Sequence, residues 1–146
     1  KSKVENMEFT ADVIVGFPKE DETMFQNTYN LIKEIEFSGL HIFQYSDREG
    51  TIASSMDGKV DAKTKKQRAD RLDSLKQEMI IQSRKKYLEK SLEVLVEEEK
   101  DGEYFAYSQN YLRVKFKSDE ENLINKIINV KVKYVENDIL IAEKEM

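Results

Sequence analysis

Apolar and polar positions follow three rhythms along the chain. Residues 10–17 (TADVIVGF) form a short run rich in valine and isoleucine, the pattern of a strand buried on both faces in a parallel sheet. Gly16 and Pro18 stop it. Asp21 then stands as a helix cap ahead of Phe25, Tyr29, Leu31, Ile32 and Ile35, whose spacing is helical, and Gly39 ends that helix. Residues 40–45 (LHIFQY) make a second buried strand. Strand, helix and strand at this spacing predict a βαβ unit with parallel strands.

An irregular loop over 46–58 leads to a long polar helix over 61–90, with Leu72, Leu75, Met79 and Leu88 as a narrow apolar stripe. After Ser91 the rhythm becomes alternation. SLEVLVEE, EYFAYSQ, YLRVKFK, KIINVKVKYVE and DILIAEKE read as five strands, with turn signals at Asp101-Gly102 and Asn137-Asp138. Five short strands in so few residues predict a small closed or partly closed antiparallel β-barrel. The expected fold is therefore α+β in three parts. Residues 1–58 hold an α/β layer, 59–90 a long basic helix, and 91–146 a five-stranded antiparallel barrel.

Composition narrows this. At 39% hydrophobic and 36% charged residues the chain can build cores but is very polar. No apolar run approaches the roughly 18 residues of a membrane span. The start, KSKVENMEFT, has no signal-peptide core and reads like the end of a helix, so the chain is expected to be a fragment. It contains no cysteine, which excludes disulfides and thiolate-bound clusters in these 146 residues. Net charge is −6 over residues 1–58, +6 over 59–91 and −5 over 92–146. The basic middle fits a nucleic-acid footprint or a solvated helix face with intrahelical ion pairs.

In α/β folds ligands bind at the carboxyl ends of strands. Two loops leave such ends here, at 16–22 and 46–51, and the second carries Arg48 among carboxylates and hydroxyls. His41 is expected to be a packed strand residue, and the run of Glu97, Glu98 and Glu99 a solvated turn. No metal site is expected. In the barrel, Tyr104, Tyr107 and Tyr111 interleave with Asn110, Arg113 and Lys115, as in modules that stack single-stranded RNA bases beside basic groups. Alternation puts Tyr111, Arg113 and Lys115 outside and Leu112, Val114 and Phe116 inside, and Lys131 and Lys133 alternate likewise. The plain alternative is an ordinary polar strand face. Lys63, Lys65, Lys66, Arg68 and Arg71 on the long helix offer charge for a phosphate backbone.

Taken in order, TADVIVGFPKEDETMFQNT, LHIFQYSDREGTIASSM, KKQRADRL, LEVLVEE and YSQNYLRVKF resemble the C-terminal part of radical S-adenosylmethionine methylthiotransferases, over almost the whole chain. VIVGFP and YSxREGT carry the resemblance together. It implies the closing part of a partial TIM-like radical barrel followed by an OB-like TRAM barrel. It implies a parent enzyme that uses S-adenosylmethionine and two 4Fe–4S clusters, held by cysteines upstream of Lys1. The fragment itself is then expected to hold no cofactor, to have no catalytic residue and to be inactive. Among the branches, LHIFQYSDREGT and NYLRV look most like the one acting on N6-threonylcarbamoyladenosine at tRNA position 37. Glu49 stands where the isopentenyladenosine branch usually has proline. That branch, the ribosomal-protein branch and a protein-binding module are the alternatives.

The resemblance further implies that Val13, Val15, Gly16, Phe43, Tyr45 and Arg48 flank the cofactor. Tyr107, Asn110, Tyr111, Arg113, Lys115, Lys131 and Lys133 would then meet the tRNA anticodon loop, and Lys65 and Arg68 the tRNA backbone, in the cytoplasm, with no DNA or membrane partner. The truncated α/β part is expected to self-associate. Lys19 stands where the family commonly has glycine, so the turn is expected to avoid positive φ. Ile52 and Ser55 also depart from the family pattern.

Overall fold

The computed structural model describes residues 7–145, and within them the chain divides into two compact units, residues 9–80 and residues 81–145, with Met7 and Glu8 joined to the second. In the first unit Thr10–Val15 (β1) and Gly39–Gln44 (β2) pair in parallel, Ala11 opposite Leu40 and Ile14 opposite Phe43. The helix Glu22–Ile35 (α1) connects them. Asp21 caps it as the sequence predicts, accepting from the Met24 N–H at 2.8 Å. Its far end closes at Glu36, in the left-handed region at φ 55°, three residues before Gly39.

The polar helix is Ala62–Lys85 (α2). Asp61 caps it through the Thr64 N–H. Leu72, Leu75 and Met79 join Phe25, Ile32, Val15 and Leu40 in one core. Leu88, expected on the same stripe, lies beyond the helix and is exposed. The basic stretch realises part of the intrahelical-pair expectation in Lys66–Asp70 and Lys76–Asp73.

The strands of this unit are buried on one face, not two. Alternation sends Ala11, Val13, Val15, Leu40 and Ile42 into the core against the helices, while Asp12, Ile14, His41 and Phe43 face outward and are exposed. His41 is thus not packed. A two-stranded sheet with helices on one side has nothing among the described residues to cover its other side.

In the second unit Ser91–Lys100 (β3), Glu103–Ser108 (β4), Arg113–Lys117 (β5), Ile127–Glu136 (β6) and Ile139–Lys144 (β7) form a mixed five-stranded sheet. Pairing runs β3–β4–β5–β7–β6, and β6 returns to β3, closing the barrel. The expectation of an all-antiparallel barrel fails at β5–β7, which is parallel. The reason is parity: strand direction cannot alternate all the way round a closed ring of five. Val94, Val96, Ala106, Leu112, Val114, Phe116, Val130, Val132 and Leu140 fill the interior. Tyr104 stacks on Phe116 with ring centroids 5.4 Å apart. Asp101 and Gly102 both take positive φ, the two-residue turn that suits hairpin twist.

One backbone expectation is overturned. Lys19 sits at φ 69°, so the turn keeps the left-handed conformation with a lysine in it. Its N–H donates to the Gly58 carbonyl at 2.8 Å, and its ammonium meets Asp57 only at the solvent-exposed surface. Lys19→Gly is expected to stabilise the protein by up to about 1 kcal/mol, since relief of strain outweighs the added freedom of the unfolded chain. Urea unfolding followed by circular dichroism measures it; a lower midpoint would contradict the strain argument.

Candidate functional site

The carboxyl ends of β1 and β2 form the first site. The chain leaves β1 through Gly16, which is buried at φ 74°. It leaves β2 through Tyr45, whose N–H donates to the Val15 carbonyl at 2.8 Å. Beside these ends lies an open cavity of about 420 Å³ lined by Ile14, Phe43, Gln44, Tyr45, Ser46, Arg48, Thr51 and Ala53. Of the expected cofactor residues, Phe43, Tyr45 and Arg48 line it; Gly16, one residue past the end of β1, does not. Val13 and Val15 do not: their side chains point to the opposite face, into the helix-packed core. The apolar floor is instead the cross-strand pair Ile14 and Phe43, which are 55% and 52% exposed. Strand alternation could have selected Ile14, had the covered face been known.

One cation, Arg48, lines this cavity, and two others, Lys59 and Lys65, bind the backbone of its walls. Lys59 donates to Ala53 O at 2.8 Å and Ser54 O at 3.1 Å, and pairs closely with Asp47. It thereby holds the short 3-10 helix Ile52–Ser55 against the end of β2. Lys65 donates to Tyr45 O at 2.9 Å. Arg48 has no carboxylate partner among the described residues, and only its backbone is engaged, accepting from Thr51. Its fork is therefore the group left to take a carboxylate or phosphate.

Tyr45 is fixed on three sides: Phe17 edge-on at 5.3 Å, the Lys59 ammonium at 5.4 Å, and a hydrogen bond donated to Asp47 at 3.0 Å. The Lys59 and Tyr45 hydrogen bonds hold the Asp47 carboxyl below its ordinary value of 3.8. A depressed folded-state pKa contributes stability above the unfolded value that is lost as pH falls through the folded one.

Arg68, expected on an RNA surface, is inside the unit. Its side chain is 6% exposed and donates to Glu20 Oε1 at 2.7 Å and Glu20 O at 3.0 Å, beside the Phe25 ring. Lys65 is likewise directed at backbone rather than at solvent.

The barrel carries the second site. On its outer surface Arg113 lies opposite Tyr107, and Lys115 opposite Phe105. The Arg113 guanidinium sits 5.1 Å from the Phe105 ring centre. Phe105 was missed by the sequence reading although alternation with Tyr107 marks it. Leu112, Val114 and Phe116 are inside and Arg113 outside, as alternation predicts, and Tyr111 is 86% exposed at φ 60°. Asn110 departs from expectation: its amide donates to Tyr87 Oη at 2.8 Å and its oxygen accepts from Ser108 at 2.6 Å. Tyr87 in turn donates to Glu8 at 2.5 Å, and burial, then this carboxylate, push its hydroxyl pKa well up.

The three barrel lysines expected at RNA are paired. Lys115 lies 3.4 Å from Glu103 and 3.5 Å from Glu136, Lys131 3.3 Å from Glu89, and Lys133 3.3 Å from Glu143. Burial opposes the charge on Lys115, but Glu103 and Glu136 outweigh it and hold its pKa up. A bulge between Val132 and Tyr134 breaks the expected alternation and turns Tyr134 outward.

Among the described residues no group of three or more His, Asp or Glu is placed to hold a metal, and no helix is long and apolar enough to cross a membrane.

The described residues thus present a closed β-barrel with an arginine over an outward aromatic ring and, in the first unit, an open cavity at the strand ends. No family model matches the chain. It is similar to curated proteins, however. These include the threonylcarbamoyladenosine tRNA methylthiotransferase MtaB of Bacillus subtilis, 40% identical over 137 residues, 90% of this chain and 30% of that protein. A probable threonylcarbamoyladenosine tRNA methylthiotransferase of Methanocaldococcus jannaschii is 39% identical over 127 residues, 87% of this chain and 29% of that protein. The tRNA-2-methylthio-N(6)-dimethylallyladenosine synthase of Aquifex aeolicus is 38% identical over 132 residues, 90% of this chain and 30% of that protein. The chain thus spans under a third of the length of these tRNA methylthiotransferases.

Two substitutions separate the buried from the surface cations. Arg68→Met is expected to destabilise the first unit by about 3 kcal/mol, because Glu20 is left buried and unpaired. Lys115→Met is expected to change stability by under about 1 kcal/mol. Chemical unfolding of both variants tests this. For Asp47, a carboxyl titration by NMR is expected to give a midpoint below 3.8, with the loop signals of residues 46–58 shifting as pH falls through it.

Proposed function

We propose that this chain is part of a tRNA methylthiotransferase of the radical S-adenosylmethionine type. The observation that carries the reading is the 40% identity over 90% of the chain to a protein of that name. The threonylcarbamoyladenosine branch is the one adopted, since relatives at 40% and 39% carry that name and the dimethylallyladenosine relative stands at 38%. The first unit then corresponds to the closing part of a TIM-like radical barrel, and the second to an OB-like TRAM barrel.

The strand-end cavity fits S-adenosylmethionine: Ile14 and Phe43 offer an apolar wall, Tyr45 a fixed ring, and Arg48 an unpaired fork for the ligand's carboxylate. When bound, that cofactor supplies the radical and the methyl group. This chain's part is to hold it and to exclude water with the Ile14–Phe43 wall. The 146 residues contain no cysteine, so none of their side chains supplies a thiolate to an iron–sulfur cluster. The chain alone is accordingly read as inactive.

For the barrel we propose contact with the tRNA anticodon loop through Phe105, Tyr107 and Arg113, with exposed Tyr111 beside them. The strand pair β4–β5 is where OB-like barrels take oligonucleotides. Aromatic rings stack bases, and an arginine without a carboxylate partner supplies charge. Lys115, Lys131 and Lys133 contribute less, because each already has an acidic neighbour. A second reading attaches to the adjoining row of Tyr107, Leu95 and Ile127. Its cavity of about 300 Å³ is lined by Glu93 and Glu97 and by no basic side chain, which favours a protein contact there.

An unmodified tRNA that reads ANN codons is expected to bind the chain at micromolar affinity that weakens with salt. Tyr107→Ala and Arg113→Ala should each weaken binding about tenfold or more, and Lys115→Met by less than about threefold. No binding at low salt, or equal effects of all three, would overturn the barrel assignment. The unpaired outer edges of β1 and β2 and the exposed Ile14 and Phe43 are also expected to drive self-association. A monomer by light scattering at high concentration would contradict it.

A further inference from the structure

Lys65 and Arg68 stand three residues apart near the start of α2, so both face the same side of that helix. Each is bound to the end of a different strand. The Lys65 stem lies across Gly16: a Cβ at Gly16 would fall 2.2 Å from Lys65 Cγ and 2.7 Å from its Cδ. Beyond the glycine the ammonium reaches the Tyr45 carbonyl, at the end of β2. Arg68 holds Glu20 by both its carboxylate and its carbonyl, and the same Glu20 Oε1 accepts from Gly16 N at 2.9 Å, at the end of β1. One helix face therefore fixes both strand ends, and with them the Ile14, Phe43, Tyr45 and Arg48 cavity.

We infer that Lys65 and Arg68 are positioning residues that act through Tyr45 and Gly16 to hold the ligand cavity in its binding shape, Lys65 setting the β2 side and Arg68 the β1 side. The inference rests on the reading of that cavity as an S-adenosylmethionine site. It explains why a glycine stands at position 16: any side chain there displaces the lysine that crosses it. It also accounts for a partly buried lysine whose ammonium is directed at a main-chain carbonyl, an arrangement that spends a charge on geometry. The hydrogen bond is charge-assisted, and a misplacement of about 1 Å at a reacting centre is enough to cost a hundredfold in rate.

The test uses the 146-residue chain with two substitutions. Lys65→Met keeps the aliphatic stem over Gly16 and removes the donor; Lys65→Arg restores a donor. Calorimetric titration with S-adenosylmethionine is expected to show affinity about tenfold weaker for Lys65→Met and restored to within about threefold by Lys65→Arg, with melting temperatures of all three close together. Equal affinities of wild type and Lys65→Met would overturn the positioning role, as would a Lys65→Met loss that Lys65→Arg does not rescue. Should the wild-type chain not bind, the cofactor reading fails. The NMR signals of the Ser46 amide, which shares its peptide group with the Tyr45 carbonyl, then decide the inference alone. Their displacement in Lys65→Met and return in Lys65→Arg supports it, and unchanged signals sink it.

Discussion

The ion pair of Arg68 with Glu20 is the contact on which the first unit turns. Both side chains are nearly withdrawn from water, at 6% and 12% exposure. Desolvating two ions costs several kcal/mol each, so the pair gives little net stability over an apolar substitute. What it gives is definition. Glu20 also receives the Gly16 N–H, and Arg68 also covers the face of Phe25, so turn, strand end and both helices share one arrangement. Arg68 Nε is left without a hydrogen bond, with its second carboxylate, Glu22, 3.8 Å away. The geometry is thus set by the Glu20 contacts rather than by full satisfaction of the guanidinium.

The barrel obeys a different constraint. Closure removes every strand edge, and five strands force one parallel neighbour pair. Because β6 pairs with β3 and β7 and not with β5, the segment between β5 and β6 crosses the barrel instead of making a tight turn. Leu123 plugs it into the core, and Glu120 takes the Tyr104 hydroxyl on its carbonyl. Outside, carboxylates sit within reach of most lysines, and the arginine is left over an aromatic ring. The acidic net charge of this part is therefore compatible with the RNA contact proposed for it: charge is local, and a cation without a carboxylate partner counts most at contact distance.

Much of this was legible in the sequence because it rests on period. The parallel strand pair, the Asp21 cap, the long polar helix and all five barrel strands follow from spacing and turn residues. What failed rests on facts that spacing does not carry. Alternation separates Val13 and Val15 from Ile14 but does not say which set the helices cover. Arg68 and Glu20 are 48 residues apart, and nothing local marks Arg68 as different from Lys66. Asn110 looked like a surface amide because its partner, Tyr87, belongs to the segment after α2. Lys19 was expected to exclude a left-handed turn, and the N–H bond to Gly58 holds it there regardless.

The bulge in β6 has a consequence for how that strand tolerates change. Before it, even-numbered positions such as Val130 and Val132 face the core; after it, odd-numbered Val135 does. The register with β7 slips by one where Lys133 and Tyr134 stand together on the outside. Sequence drift along this strand should therefore show two phases of constraint, inverted at a single residue. Insertion or loss of one residue at Lys133 would exchange the inner and outer faces of everything beyond it.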